Sequence, residues 1–207
     1  FAEADPTRYH GIAGCDPENG TLPESAPGFS KAFGSAMVKL GEADQEIVAV
    51  SAAMLEGTGL KNFAEKFPGR TFDTGIAEEH AVTFAGGLAV GGMIPVVCIY
   101  STFIQRSIDQ IIHDVTLQNA HVIFMLDRAG AVPSDGVTHQ GIFDISLLRP
   151  IPKLNILSVA SADDLKLCLL NGLMDITKLS LFIIGLVVCA STLVSGRKDA
   201  RSRSKNT

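Results

Sequence analysis

What is missing from this 207-residue sequence narrows it first. It has no C-x-x-C pair among Cys15, Cys98, Cys168 and Cys189, so neither a disulfide framework nor a cysteine zinc site is written into it. Cys98 lies in an apolar run, where a free thiol behaves as a small hydrophobe, and a reducing compartment is the expectation. The histidines His10, His80, His113, His121 and His139 never fall at H-x-x-x-H or H-E-x-x-H spacing, so none is paired as a metal ligand on one helix face. No basic stripe runs through the body of the chain and the net charge is -5, which argues against a nucleic-acid surface and for small-molecule chemistry. Residues Phe1 to Arg8 carry no apolar core of the kind a secretory signal needs. With Phe rather than Met in first position, the expectation is a piece of something longer. At 46% hydrophobic and 19% charged residues the chain can bury a core, and its length allows one full domain with extra at the ends.

What is present reads in three parts. From Ala4 to Pro27 turn formers dominate (Asp5-Pro6, Asp16-Pro17, Asn19-Gly20, Ala26-Pro27-Gly28) without a hydrophobic period, so residues 1–29 are expected to be a linker. Residues 30–175 alternate between helical and strand periods. Ser30 to Leu40 spaces Phe33, Met37 and Leu40 as a helix does, and Ile47 to Met54 has strand length. Thr71–Thr74 follows as a strand, Ala77–Val90 as a helix of small residues, Pro95–Tyr100 as a strand, Phe103–Gln118 as a helix and Val122–Leu126 as a strand. This order predicts an α/β fold, a doubly wound parallel sheet with helices on both faces. Runs such as Val96-Val97-Cys98-Ile99 and Val122 to Leu126 are apolar throughout, as strands covered on both sides are. Residues 176–207 form a divergent tail, apolar from Leu179 to Val194 and then basic (Arg197, Lys198, Arg201, Arg203, Lys205). The apolar stretch is shorter than the roughly 20 residues that span a bilayer. Three readings stay open for it: a truncated or frame-shifted end, a core strand followed by a basic tail, or a membrane anchor.

In open α/β sheets ligands bind beyond the carboxyl ends of the strands, so chemistry is sought after Asp73, after Ile99 and after Leu126. The first segment sets Glu78, Glu79 and His80 at a helix start. Two readings compete there: solvated acids favoured by the helix dipole, or a buried functional acid. The small residues that follow, Ala85-Gly86-Gly87, suit close backbone packing and favour burial. The second segment places Tyr100 and Phe103 at a strand-to-helix mouth, with Ser101 or Thr102 as a helix cap, and Asp109, His113 and Asp114 further on. The third, Asp127 to Gly141, is a long polar loop. In it Arg128 could bind a phosphate and Asp135 with His139 could handle protons.

The strings Gly75-Ile76-Ala77-Glu78-Glu79-His80-Ala81-Val82-Thr83-Phe84-Ala85, Ile99-Tyr100-Ser101-Thr102-Phe103-Ile104-Gln105-Arg106, Asp127-Arg128-Ala129-Gly130 and Asp135-Gly136-Val137-Thr138-His139-Gln140-Gly141-Ile142-Phe143-Asp144 together resemble the 1-deoxy-D-xylulose-5-phosphate synthase family in order and spacing. The resemblance runs from about Ala4 to about Asp175. It implies a transketolase-type pyrimidine-binding domain and a thiamine-diphosphate-dependent transferase that condenses pyruvate with glyceraldehyde 3-phosphate, releasing carbon dioxide, at the start of isoprenoid synthesis. It further implies that Glu78 bonds N1′ of the thiamine aminopyrimidine, that Phe103 packs on that ring with Ile76 beside it, and that Tyr100, Arg106, Arg128, Asp135 and His139 face the substrates. Glu78 and His139 are then the expected catalytic residues.

Departures from the family pattern are Glu79 for a common Gln and Pro133 for a usual Gly. No Gly-Asp-Gly with a downstream Asn occurs, so the ligands of Mg2+ and the diphosphate are expected in a separate N-terminal domain, with no metal site here. The family's Tyr-Pro-Arg-Gly segment is also absent. The isolated chain is therefore expected to be inactive and to work as a homodimer or paired with a diphosphate-binding domain, in the cytoplasm or a plastid stroma. The rival expectation is a non-catalytic remnant that binds or dimerises.

Overall fold

The computed structural model describes residues 1–9, 14–22, 28–132, 136–174 and 179–183. Within the expected linker, Pro6–Tyr9 makes one helical turn, α1, and the Tyr9 hydroxyl donates to the carbonyl of Gly20 at 2.9 Å. The body begins with α2 (Phe29–Ala43), β1 (Ile47–Ser51), α3 (Lys61–Lys66), β2 (Thr71–Asp73), α4 (Glu78–Val90) and β3 (Ile94–Tyr100). Short helices α5 (Ser101–Ile104) and α6 (Ile108–Gln110) follow, then β4 (Ile123–Asp127), α7 (Asp144–Leu148), β5 (Leu154–Ser158), α8 (Ala162–Met174) and β6 (Leu179–Ile183).

All strand pairs are parallel and the sheet order is β2-β1-β3-β4-β6-β5. From β1 the chain first goes outward to β2 and then crosses back to β3 on the other side, so the topological switch point lies between β1 and β3. The expected doubly wound sheet is therefore present. Alternate strand residues serve opposite layers. Val50, Val97, Ile99, Phe124 and Leu126 pack with Ala81, Val82 and Ala85 of α4, while Ala49, Val96, Cys98, Ile123 and Met125 pack with Phe33 and Met37 of α2 and Leu165 and Leu169 of α8.

Two expectations need correction. The apolar period from Phe103 to Gln118 predicts one helix, yet the segment breaks into α5, a 3-10 turn (Gln105–Ser107), α6 and a π-helix (Ile111–Thr116). Apolar periodicity is blind to such a change of winding, which here turns at Ser107 (φ -107°, ψ 14°), just after Arg106 reaches its partner. The sheet also passes the expected limit at Asp175. Leu179–Ile183 enters as β6 between β4 and β5. The remainder of the tail lies outside the described residues. Among the described residues no helix is long and apolar enough to cross a membrane.

Candidate functional site

Because every strand points the same way, Asp73, Tyr100 and Asp127 end together on one edge, flanking the switch point. The segment between β2 and α4 is tied to that edge. The Asp73 carboxylate accepts from the amides of Ala53 and Gly75 at 2.8 and 2.9 Å, and the Thr74 hydroxyl bonds the carbonyl of Ser51 at 3.2 Å. Gly75 takes φ 69°, a left-handed turn that glycine adopts without strain. These anchors start α4 at Glu78. Glu78 is 2% exposed, whereas Glu79 and His80 face solvent. The two readings of the acids thus divide between neighbours: one is buried and one solvated, as residues about 100° apart on a helix allow.

The buried acid is compensated. Arg106 donates from Nη1 to Glu78 Oε1 at 2.6 Å, and its guanidinium lies 5.3 Å from the Phe103 ring centre. Burial of a carboxylate is tolerated only with such a partner. Phe103 stacks on Tyr100 (centroids 5.8 Å, 15° between planes), Arg128 lies over Tyr100 at 4.4 Å, and the His139 ring meets Phe103 edge-on at 5.4 Å. Glu78, Arg106, Phe103, Tyr100, Arg128 and His139 therefore form one continuous set. Ile76, two residues before Glu78 in the chain, is 83% exposed. Asp135 lies outside the described residues. Asp109 and His113 bond each other at 3.0 Å on the exposed surface, away from this set of contacts. No cluster of three metal-ligating side chains occurs among the described residues.

Several contributors to this mouth carry no signal in their spacing. Gly57, in the loop after β1, has no room for a side chain because a Cβ would come 1.9 Å from the Tyr100 hydroxyl. Ser30 donates to Asp127 at 2.5 Å, fixing the end of β4, and Arg128 follows with φ 56°, a conformation that a non-glycine residue holds only when its surroundings impose it. Neither Ser101 nor Thr102 is the expected helix cap, since α5 begins at Ser101 with Tyr100 at the cap position and no side-chain cap bond. The Ser101 hydroxyl donates to the buried Asp144 at 2.7 Å. Asp144 closes the last quoted motif, but only the fold shows what it meets.

A buried carboxylate, a stacked aromatic pair and two arginines at the switch point of a doubly wound sheet define a class of α/β cofactor or substrate domain. The chain belongs to the transketolase pyrimidine-binding domain family, which it matches over residues 25–183. The 1-deoxy-D-xylulose-5-phosphate synthase of Syntrophus aciditrophicus (strain SB) is 52% identical over 171 residues, 80% of this chain and 26% of that protein. The synthase of Desulforudis audaxviator (strain MP104C) is 56% identical over 154 residues, 74% of this chain and 24% of that protein. The chain thus spans about a quarter of the length of the curated relatives it matches. Among solved structures, "Split gene transketolase, inactive beta4 tetramer" superposes with TM-score 0.67 at 27% identity, covering 76% of this chain and 51% of that one. Transketolase from Leishmania mexicana has TM-score 0.66 at 19% identity, over 79% of this chain and 26% of that one, a likeness of fold.

Proposed function

We propose that this chain supplies the pyrimidine side of a thiamine-diphosphate site in a 1-deoxy-D-xylulose-5-phosphate synthase, joining pyruvate, less carbon dioxide, to glyceraldehyde 3-phosphate. The observation that carries the reading is the buried Glu78 beside the Tyr100–Phe103 pair, in a chain about half identical to synthases. The residues fit the aminopyrimidine: a buried carboxyl group can hydrogen-bond N1′ with little competition from water, and Phe103 offers a ring face. Thiamine diphosphate, when bound, supplies a thiazolium carbon that reacts with the carbonyl of a 2-oxo acid. Glu78 would fix the protonation of the ring. Arg106, which bridges Glu78 and Phe103, would yield that carboxylate to the ring and turn to substrate. Arg128 provides a forked donor suited to a phosphate, and His139 a proton carrier at the opposite side of Phe103. Asp135 is assigned to the same substrate face. The diphosphate and its Mg2+ would be held by a second domain, since the chain offers no Gly-Asp-Gly segment. Exposed Ile76, Val137, Ile142 and Phe143 near the mouth are apolar surface suited to that domain.

A second reading, a module that assembles without catalysis, draws support from the solved likeness described as an inactive β4 tetramer. One assay separates them. The purified chain mixed with the diphosphate-binding portion of the Syntrophus relative is expected to make deoxyxylulose phosphate only when thiamine diphosphate and Mg2+ are added, and neither partner alone is expected to do so. Turnover by this chain alone, or none in the mixture despite a stable complex, would contradict the proposal.

A further inference from the structure

We propose that Ser101 and Asp144 are positioning residues whose buried hydrogen bond clasps two described loop ends, Arg128–Gly130 and His139–Gly141, to the aromatic mouth and so sets where Arg128 and His139 stand. The importance of the loop rests on the function proposed above; the clasp itself does not.

Asp144 is 2% exposed and Ser101 is fully buried, so this carboxylate has left water for a single side-chain partner 43 residues away. As the first residue of α7, Asp144 already has a local task, since its Oδ1 accepts the amide of Ile145 at 2.7 Å. Oδ2 is not needed for that. It reaches Ser101 at 2.7 Å, between Tyr100 and Phe103 in the chain. Fixing Ser101 therefore fixes the origin of both aromatic side chains.

The same hydroxyl forms the floor under the loop. A Cβ on Gly141 would lie 2.5 Å from Ser101 Oγ and 2.4 Å from the carbonyl oxygen of Arg128, so Gly141 is wedged between the two. Gly141 and Gly130 then exchange both backbone hydrogen bonds, at 2.6 and 2.9 Å, pinching the loop shut two residues after Arg128 and two after His139. Within the pinch, the Gln140 side chain bonds both the amide and the carbonyl of Val132. From Asp144 through Ser101 and Gly141 to Gly130, each contact constrains the next. The left-handed φ of Arg128 lies where this constraint ends.

Amide hydrogen exchange of the full chain tests the clasp with no cofactor or substrate present. Failure of the mixed-domain assay would therefore leave its outcome readable, and the reverse also holds. Ser101→Ala and Asp144→Ala are each expected to speed exchange at Gly130 and Gly141 by about tenfold or more, with Val97 and Phe124 unchanged, because only the loop opens. The double variant should be no faster than the worse single one. Asp144→Asn is expected to rescue: its amide can donate to the Ser101 hydroxyl while Oδ1 keeps the Ile145 amide. In the two alanine variants the His139 ring proton resonances should also move, because that ring sits edge-on to Phe103. Wild-type exchange at Gly130 and Gly141 in Ser101→Ala, or acceleration spread evenly over β3 and β4, would overturn the proposal. Should Asp144→Ala fail to fold, Ser101→Ala decides alone.

Discussion

The two loops that furnish the mouth are held in opposite ways. Glu78 sits where a strand passes into a helix, anchored by Asp73 and Thr74 to the end of β1 and backed by the sheet. Arg128 and His139 stand on an excursion between β4 and α7 whose described ends are bridged at Gly130 and Gly141 and meet the body through ring contacts to Tyr100 and Phe103, beside the buried Ser101–Asp144 bond. The acid thus shares the stability of the sheet edge, whereas the described ends of the polar loop are held by local contacts among side chains and glycines. Within the proposed function this separates a cofactor side that must not move from a substrate side that can open without unfolding anything else.

Glycine substitutions break that comparison most sharply. Gly86 of α4 touches the backbone of Asp114, where a Cβ would come 2.6 Å from a carbonyl oxygen. Gly86→Ala should therefore push apart the layer that carries Glu78 and cost about 2–3 kcal/mol of global stability, read as a lowered denaturant midpoint. Gly141→Ala meets equally hard contacts, but in the loop. Its global cost should stay near 1 kcal/mol, with the damage visible instead as faster exchange at Gly130. Equal losses from the two variants would show that loop and core unfold as one. Gly87, beside Gly86 but with nothing within 4 Å, is the control, and Gly87→Ala should gain about 0.5–1 kcal/mol from helix propensity. Smallest in its consequence for the fold is a chemical contrast. Burial, reinforced by the charge of Asp127, pushes the Cys98 thiol well above its ordinary pKa, while Cys15 is partly exposed. Native Cys98 should react with iodoacetamide about tenfold or more slowly than Cys15, and at similar speed in denaturant. Equal native rates would mean that β3 opens far more readily than its burial implies.

The order of elements could be read from periodicity where strands are covered on both faces, as at Val96–Ile99 and Val122–Leu126. It was not legible at β5, an edge strand whose Asn155, Leu157 and Ser158 are exposed, nor at the broken winding after Phe103, where the apolar residues recur on schedule although the helix type changes. The site shows the same limit. Spacing marks Glu78 and Glu79 alike as first-turn acids; the family resemblance singles out Glu78, and burial separates the two physically. Neither the Arg106–Glu78 pair nor the Ser101–Asp144 pair can be inferred from spacing, because each joins residues far apart in sequence that the parallel sheet brings to one edge. The family resemblance named Glu78 and Arg106 separately but left their contact unstated.

The central claim is that Glu78, and not its neighbour, is the cofactor acid. In the mixed-domain enzyme, steady-state rates should fall by roughly 100-fold or more for Glu78→Ala, the scale of a positioned proton-transfer group, and change less than about twofold for Glu79→Gln. A larger loss from Glu79→Gln than from Glu78→Ala would contradict the account.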